Sequence, residues 1–223
     1  MAEHDAAAAR RFPGPDYREV LGWIHEALRP ETYVEIGVGS GCSLGLARPE
    51  TIAVGIDPEP AGGSGIVFRM ASREFFAAHD LRQVLGGKPL AFAFIDGDHR
   101  FEQAVEDFSH LERCAGAGAI FAVHDTIPLD RETSARDRTT EFYTGDVWKI
   151  LPFVQRSRPD LEYVTVATAP AGLTLIRGLD PAHGAMTAPE DAREFDDFER
   201  EQDEFLHRIA NERAAVEAFC RGG

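Results

Sequence analysis

The sequence predicts an α/β fold: a largely parallel sheet with helices on both faces, ending in an antiparallel hairpin. Three observations carry this expectation. Apolar runs of strand length alternate with amphipathic helical stretches through most of the chain, the order a parallel sheet requires. The run Leu90–Ile95 (LAFAFI) is apolar throughout, as a strand buried on both faces should be. The last two strand candidates, 161–167 and 172–177, are separated only by APAG. That link is too short for a parallel crossover, so they pair antiparallel.

The elements follow in order. Residues 1–15 end in the breaker PGP and are expected to be flexible. Asp16 to Leu28 reads as an amphipathic helix, with Val20, Trp23, Ile24 and Leu28 at helical spacing. A strand from Tyr33 to Ile36, a glycine loop, a short helix and a strand from Thr51 to Ile56 come next. Gly65 to Met70 is a third, short strand. Ser72 is placed to cap a helix carrying Phe75, Phe76, Leu81 and Leu85. Phe101 to Cys114 reads as helix, Ala119 to Val123 as a buried strand, and Thr144 to Val154 as helix. These elements make one domain over 16–180, followed by a helical tail over 187–221. From Thr187 to Cys220 the tail reads as one long helix, Thr187 capping it and Glu190 completing a capping box. Phe195, Phe198, Phe205, Ile209, Val216 and Phe219 recur at alternating three- and four-residue spacing, with Gln202 and Glu212 filling two places. A 3.5-residue period favours packing along another helix. Self-association through this helix is the expectation, and folding back onto the domain is the alternative.

Composition restricts the function. The chain has 223 residues, 43% hydrophobic and 27% charged, ordinary for one globular domain. Its net charge of −15 opposes general affinity for nucleic acid or anionic membrane, both of which need clustered Lys and Arg. Cys42, Cys114 and Cys220 lack the spacing of a disulfide frame or zinc site and read as reduced thiols. The first residues carry no signal-peptide core and no run is long enough to span a membrane, so a cytoplasmic protein is expected.

The most informative segment is YVEIGVGSGCSLGLARPETIAVGID, from Tyr33 to Asp57. Glycines at 37, 39 and 41 let the backbone approach a ligand that a Cβ would push away. Asp57, twenty residues past the first glycine, stands where an acid bonds a ribose in nucleotide-binding folds. The spacing is G-x-G-x-G rather than the dinucleotide G-x-G-x-x-G, and Glu35 precedes it. A carboxylate there repels a pyrophosphate and suits a cationic nucleoside, which disfavours a nicotinamide oxidoreductase. The run Glu35-x-Gly37-x-Gly39-x-Gly41, with Asp57 after the second strand, resembles motif I of the class I S-adenosylmethionine (SAM) methyltransferases. That resemblance implies a Rossmann-like methyltransferase sheet, with Glu35 and the glycine loop holding the methionine part and Asp57 the ribose. Met70, Ala71 and Ser72 would edge the adenine.

Two further strand ends carry polar clusters. FIDGDHRF places Asp96, Asp98 and His99 beyond one strand, and FAVHDT places His124 and Asp125 beyond the next. Carboxylates from adjacent strands plus an imidazole suit a divalent cation, magnesium needing only one or two carboxylates and histidine shifting preference towards manganese, iron or zinc. A helix-capping turn and a structurally bonded histidine are the plainer readings of the same residues. Over residues 30–178, IDGDH and the HD pair resemble a bacterial branch related to catechol O-methyltransferase and the macrolide-sugar O-methyltransferases. The resemblance implies a magnesium site at Asp96, His124 and Asp125, His99 as general base, and a hydroxylated small-molecule acceptor. His124 departs from the oxygen ligand usual in those relatives. A metal-independent SAM methyltransferase acting on N or O, and a non-catalytic SAM-fold module assembling through its tail, are the alternatives. The charged segment from Pro128 to Asp146 has the length of a lid, and its Arg131, Arg136 and Arg138 are candidates to meet an anionic substrate.

Overall fold

In the computed structural model, which describes residues 2–222, the strands are β1 (Thr32–Ile36), β2 (Ile52–Ile56), β3 (Ile66–Phe68), β4 (Leu90–Ile95), β5 (Ala115–His124), β6 (Glu162–Val166), β7 (Leu173–Arg177) and β8 (Arg208–Ile209). The helices are α1 (Ala2–Arg11), α2 (Tyr17–Leu28), α3 (Ser72–Ala78), α4 (Leu81–Val84), α5 (Phe101–Glu112), α6 (Ile150–Ser157), α7 (Phe195–Phe205) and α8 (Arg213–Arg221). All eight strands join one sheet in the order β3-β2-β1-β4-β5-β7-β6-β8. Pairing is parallel from β3 through β5, and β7 is antiparallel to both β5 and β6. The expected hairpin is therefore present.

Alternate residues of the strands feed two cores. Val34, Ile36, Ala93, Ile95, Phe121 and Val123 pack with α5, α6 and α7 on one face. Tyr33, Phe92, Phe94, Ile120 and Ala122 pack with α2 and α8 on the other. Strand order reverses between β1 and β4, since β2 and β3 run outward one way and β5 onward the other. Open α/β sheets bind ligands at the carboxyl ends of the strands flanking such a reversal. Those ends are Ile36 and Ile95, followed directly by the glycine loop and by Asp96.

Both termini depart from expectation. Residues 2–11 form helix α1, with Ala8 and Phe12 buried, where a flexible segment was expected; Met1 lies outside the described residues. The alanine run has high helix propensity, and the Arg11 guanidinium anchors the helix by donating to the carbonyls of Pro128 (3.0 Å) and Leu129 (2.6 Å). The tail is not one helix. Residues 187–193 are irregular, α7 starts only at Phe195, and the Glu194 N–H is capped by the Asp197 carboxylate at 2.9 Å rather than by Thr187. The chain breaks again so that Arg208 and Ile209 can pair with the exposed edge of β6. Phe195, Phe198 and Phe205 are then buried beside Trp148, while Val216 and Cys220 are buried beside Val20, Leu21 and Ile24. The apolar stripe read as a surface for a second copy is thus consumed by the chain's own domain.

Smaller departures have local causes. The helix after β3 is split at His79 and Asp80, where Asp80 caps a new turn through the Arg82 N–H. Ser72 is the first residue of α3 rather than its cap; the Ala71 N–H is satisfied by the Glu74 carboxylate at 3.1 Å. The helix expected from Thr144 begins as a short turn at Val147 and becomes α-helical at Ile150. Cys42, Cys114 and Cys220 are free thiols. Among the described residues no helix is long and apolar enough to cross a membrane.

Candidate functional site

The glycine loop is built around a close approach of two strand ends. The Gly37 N–H donates to the Ile56 carbonyl (2.9 Å) and the Asp96 N–H to the Ile36 carbonyl (2.8 Å), so the backbone beyond β1 is laced to β2 and β4. Gly37 has φ +88, and a Cβ there would overlap the Asp96 carbonyl oxygen. Gly41 has φ +78 and would meet the Gly63 backbone in the same way. Both positions therefore require glycine for geometric reasons. The loop borders an open cavity of about 830 Å³, a volume suited to a small-molecule site. Gly37, Gly39, Ser43, Asp57, Ala71, Ser72, Asp96 and His99 all line it, which gathers most of the predicted site on one wall.

Glu35, Asp57 and Met70 sit differently from the simplest expectation. Glu35 is completely buried beneath the loop, its carboxylate accepting from the Tyr33 and Ser43 hydroxyls at 2.6 Å each. Burial pushes its pKa up to about 7, against the opposing pull of the two hydroxyls and with added repulsion from Asp96 and Asp57. Ser43, not Glu35, faces the cavity. Asp57 uses Oδ2 to accept from the Val38 and Gly39 N–H groups (2.8 Å each) and Oδ1 to accept from Glu59 N–H (2.7 Å). It thus shapes the loop while lining the cavity. Met70 packs against the core, whereas Ser72 turns inward to accept from the Gln103 amide at 3.2 Å. Beside it lies a buried acid that sequence reasoning missed. Asp107 accepts from Gln103 at 2.9 Å, and burial raises it to about 7.

The two polar strand ends converge. Asp96, His124 and Asp125 each present a ligand atom, all within 4.8 Å of one another. His124 Nδ1 stands 3.1 Å from Asp96 Oδ1 and 3.2 Å from Asp125 Oδ1. His99 Nδ1 approaches Asp125 Oδ2 at 2.7 Å, and its Nε2 lies 4.0 Å from Asp96 Oδ1. His99 (φ +56) and Asp125 (φ +59) both hold the left-handed backbone region, which costs of order 1–3 kcal/mol per non-glycine residue and concentrates at functional sites. His124 and Asp125 are buried; Asp96 and His99 are partly open. Burial alone would lower His99, but the Asp125 carboxylate, helped by Asp96, raises it to about 9. His124 is likewise lowered by burial and lifted well above its ordinary value by both carboxylates. Asp125, which burial would raise, is held far below the usual carboxylate range by His124 and His99.

The donor set fits a small divalent cation. Ligands about 2.1 Å from an octahedral ion lie about 3 Å apart along an edge, close to the two distances from His124 to the carboxylates. One feature of His124 tells against it as a ligand. Its Nε2 is buried with no partner, whereas metal-binding histidines ordinarily donate that N–H to an outer group.

Aromatic rings wall the cluster, from positions that no sequence motif marks. The Tyr17 ring, from the first turn of α2, packs on His124 with centroids 4.3 Å apart. Tyr143 stacks on His99 at 5.7 Å. An arginine lies against each tyrosine: Arg18 is 5.2 Å from the Tyr17 centroid and Arg138 is 5.9 Å from the Tyr143 centroid. Both arginines line the cavity. The segment 128–146 is folded on itself, the Thr144 N–H donating to the Thr133 carbonyl at 2.9 Å. Its Arg131 and Arg136 do not reach this cavity. Arg131 pairs with Glu194 and Asp196, Arg136 with Glu102 and Asp146, and both line a separate hollow of about 410 Å³.

No protein-family model and no curated relative matches the sequence. Solved structures match by shape. The O-methyltransferase TomG from Streptomyces achromogenes, involved in tomaymycin synthesis and solved with SAM, superposes with a TM-score of 0.50 at 17% identity, over 78% of this chain and 87% of its own. An O-methyltransferase from Bacillus cereus, solved with S-adenosylhomocysteine (SAH), gives 0.52 at 15% identity, over 78% and 88%. The SAH-bound methyltransferase PaMTH1 of Podospora anserina gives 0.51 at 15% identity, over 79% and 86%. The chain therefore has the Rossmann-like class I methyltransferase fold that its motifs led us to expect.

Proposed function

We propose that this protein is a SAM-dependent O-methyltransferase acting on a hydroxylated small molecule with the help of a divalent cation, magnesium or manganese. One observation carries the reading. A single cavity runs from the glycine loop and Asp57 to Asp96 and His99, so a methyl donor and a polarised hydroxyl would meet in it. The glycine loop and Ser43 would receive the methionine part of SAM, with Arg18 at the loop's edge offering a cation to its carboxylate. Asp57 would meet the ribose, and Ala71 and Ser72 the adenine, all three lining the cavity. Glu35 acts from beneath, fixing Ser43.

Asp96 and Asp125, with His124 beside them, would hold the cation, which when bound supplies Lewis acidity to the acceptor oxygen. His99 is the proton acceptor. With both carboxylates uncompensated it keeps its proton up to pH about 9; neutralising their charge brings it back towards its ordinary range and makes it a usable base near pH 7. Tyr17 covers His124 and Tyr143 covers part of His99, which limits the access of water to the cluster. Alignment of donor and acceptor in this space would supply most of the rate, an effect worth roughly 7–11 kcal/mol in well-oriented reactions.

The arrangement of His124 favours a second reading. With no ion present, the two carboxylates hold the proton of His124, whose Nδ1–H faces Asp96 Oδ1 at 3.1 Å and Asp125 Oδ1 at 3.2 Å, so the imidazole itself takes the place of an ion. That state describes a metal-independent methyltransferase. Calorimetric titration of the full chain with SAM and SAH, first with magnesium and then with EDTA, tests both. Micromolar binding together with EDTA-sensitive methyl transfer supports the first reading. EDTA-insensitive transfer supports the second, and no binding of SAM or SAH in either buffer defeats both.

A further inference from the structure

The cavity contains more volume and more charge than the cofactor and a bare hydroxyl require, and the charge is selective. The chain carries 38 acids against 23 Lys and Arg, so a cation without a carboxylate at a binding site is notable. Of the three arginines in the 128–146 segment, Arg131 and Arg136 are each matched by two acids. Arg138 is not. Among the described residues its guanidinium makes no ion pair; Nε donates to the Thr140 carbonyl (3.2 Å) and Nη2 to the Glu141 carbonyl (2.9 Å). Those two bonds fix the plane of the group while leaving its other donors free. Its neighbours are held as firmly. The Tyr143 hydroxyl donates to the Arg136 carbonyl at 2.6 Å, and both His99 and Arg138 lie against the Tyr143 ring. Of the other charges lining the cavity, Arg73 pairs with Glu106, Glu74 accepts from Ala71 N–H and Asp98 is exposed to solvent, while Arg18, also without an ion pair among the described residues, lies against Tyr17 and is the cation assigned above to the cofactor.

Resting on the methyltransferase reading, we propose that the acceptor is an anion, a hydroxylated carboxylate or phosphate ester. Arg138, which shares the Tyr143 ring with His99, is its recognition residue. A planar guanidinium offering paired N–H groups matches both oxyanions; Arg138 is exposed in the unliganded chain, and a neutral acceptor that covered it would displace its water and return no charge-assisted bond. The spacing also sets a shape. The two distances, 5.7 Å from His99 to Tyr143 and 5.9 Å from Tyr143 to the Arg138 guanidinium, keep Arg138 within two ring spacings of His99, so the anion and the reacting hydroxyl would belong to one small molecule. Arg138 acts on acceptor binding and not on the cofactor.

The test uses the full chain saturated with SAH and magnesium, titrated with two matched pairs of probes: protocatechuate against its neutral amide, and glucose-6-phosphate against glucose. The proposal expects the anionic member of at least one pair to bind about tenfold more tightly, the scale of one charge-assisted hydrogen bond. Which pair responds tells carboxylate from phosphate. R138Q should abolish that preference with SAH affinity unchanged, and R138K should restore part of it. Equal binding within both pairs, no binding of either anion, or a preference that survives R138Q overturns the proposal while SAH binding leaves the methyltransferase reading intact. Failure of SAH itself to bind removes both.

Discussion

Replacing Glu35 by glutamine isolates the electrostatic cost of the acid beneath the glycine loop. The amide keeps the shape of the carboxyl group and can bond both the Tyr33 and Ser43 hydroxyls, but it does not titrate. In the wild type, burial lifts the carboxyl from an ordinary 4.5 to about 7. The folded state therefore holds this proton more tightly than the unfolded chain. Stability from the group is fully present below pH 4.5, erodes as pH rises, and is lost once pH passes about 7. At roughly 1.4 kcal/mol per pKa unit, the loss amounts to about 3 kcal/mol. The stability of Glu35→Gln relative to wild type should thus climb by about that amount between pH 4.5 and 7 and level off above it. Urea unfolding followed by fluorescence of the buried Trp148 measures this directly, other titrating groups cancelling between the two proteins. A stability difference that stays constant across that range would refute the reasoning, because it would mean that the carboxyl titrates alike in both states. SAH offers a second view of the same proton. Should its ammonium settle near Glu35, binding near pH 7 would release the proton and give a heat that varies with the buffer.

Four further outcomes are expected. Gly37→Ala should cost more than about 2 kcal/mol, since it adds a clash with the Asp96 carbonyl to a left-handed backbone, and should remove SAH binding; an unchanged melting temperature would sink the close-approach argument. His25, buried in edge contact with the stacked Tyr33 and Phe92 rings and with neither nitrogen bonded, is pushed down to about 4 by burial. Stability should therefore be full above pH 6.5 and fall by about 3 kcal/mol as pH drops towards 4, and His25→Phe should flatten that acid slope in urea titrations. Phe198→Ala should cost about 3–5 kcal/mol, the usual range for a fully buried phenylalanine; a loss under about 1 kcal/mol in chemical denaturation would mean that α7 is not docked beside Trp148. Asp125→Asn should lower His99 from about 9 towards its ordinary value, read from its imidazole proton shifts by NMR, and an unmoved titration would break the assigned pair.

The sequence was most legible where chemistry and chain neighbourhood coincide. Gly37, Gly39, Gly41 and Asp57 belong to one strand–loop–strand passage, and Asp96, His99, His124 and Asp125 directly follow two apolar strands. Residues brought to the site by tertiary packing left no local sign. Tyr17 begins α2, where it looks like any helix residue, yet its ring covers His124. Tyr143 sits in a charged segment and covers His99. Sequence spacing also cannot say what a carboxylate bonds first; Asp57 serves the loop's own N–H groups. In the tail the 3.5-residue pattern was real, but it marked burial rather than continuity. An unpaired edge on β6 and the apolar faces of two cores divided one apparent helix into α7, β8 and α8.

The contact between α2 and α8 joins two segments far apart in the chain. Val20, Leu21 and Ile24 of α2 pack with Val216 and Cys220 of α8. Closing so long a loop adds little to the equilibrium cost, which grows only with the logarithm of length. It does slow folding, because non-local contacts bring their reward only after the entropy of closure has been met. Until the nine-residue α8 docks, the side of α2 it covers stays bare, so a truncation that removes α8 would leave an apolar stripe of α2 open to water.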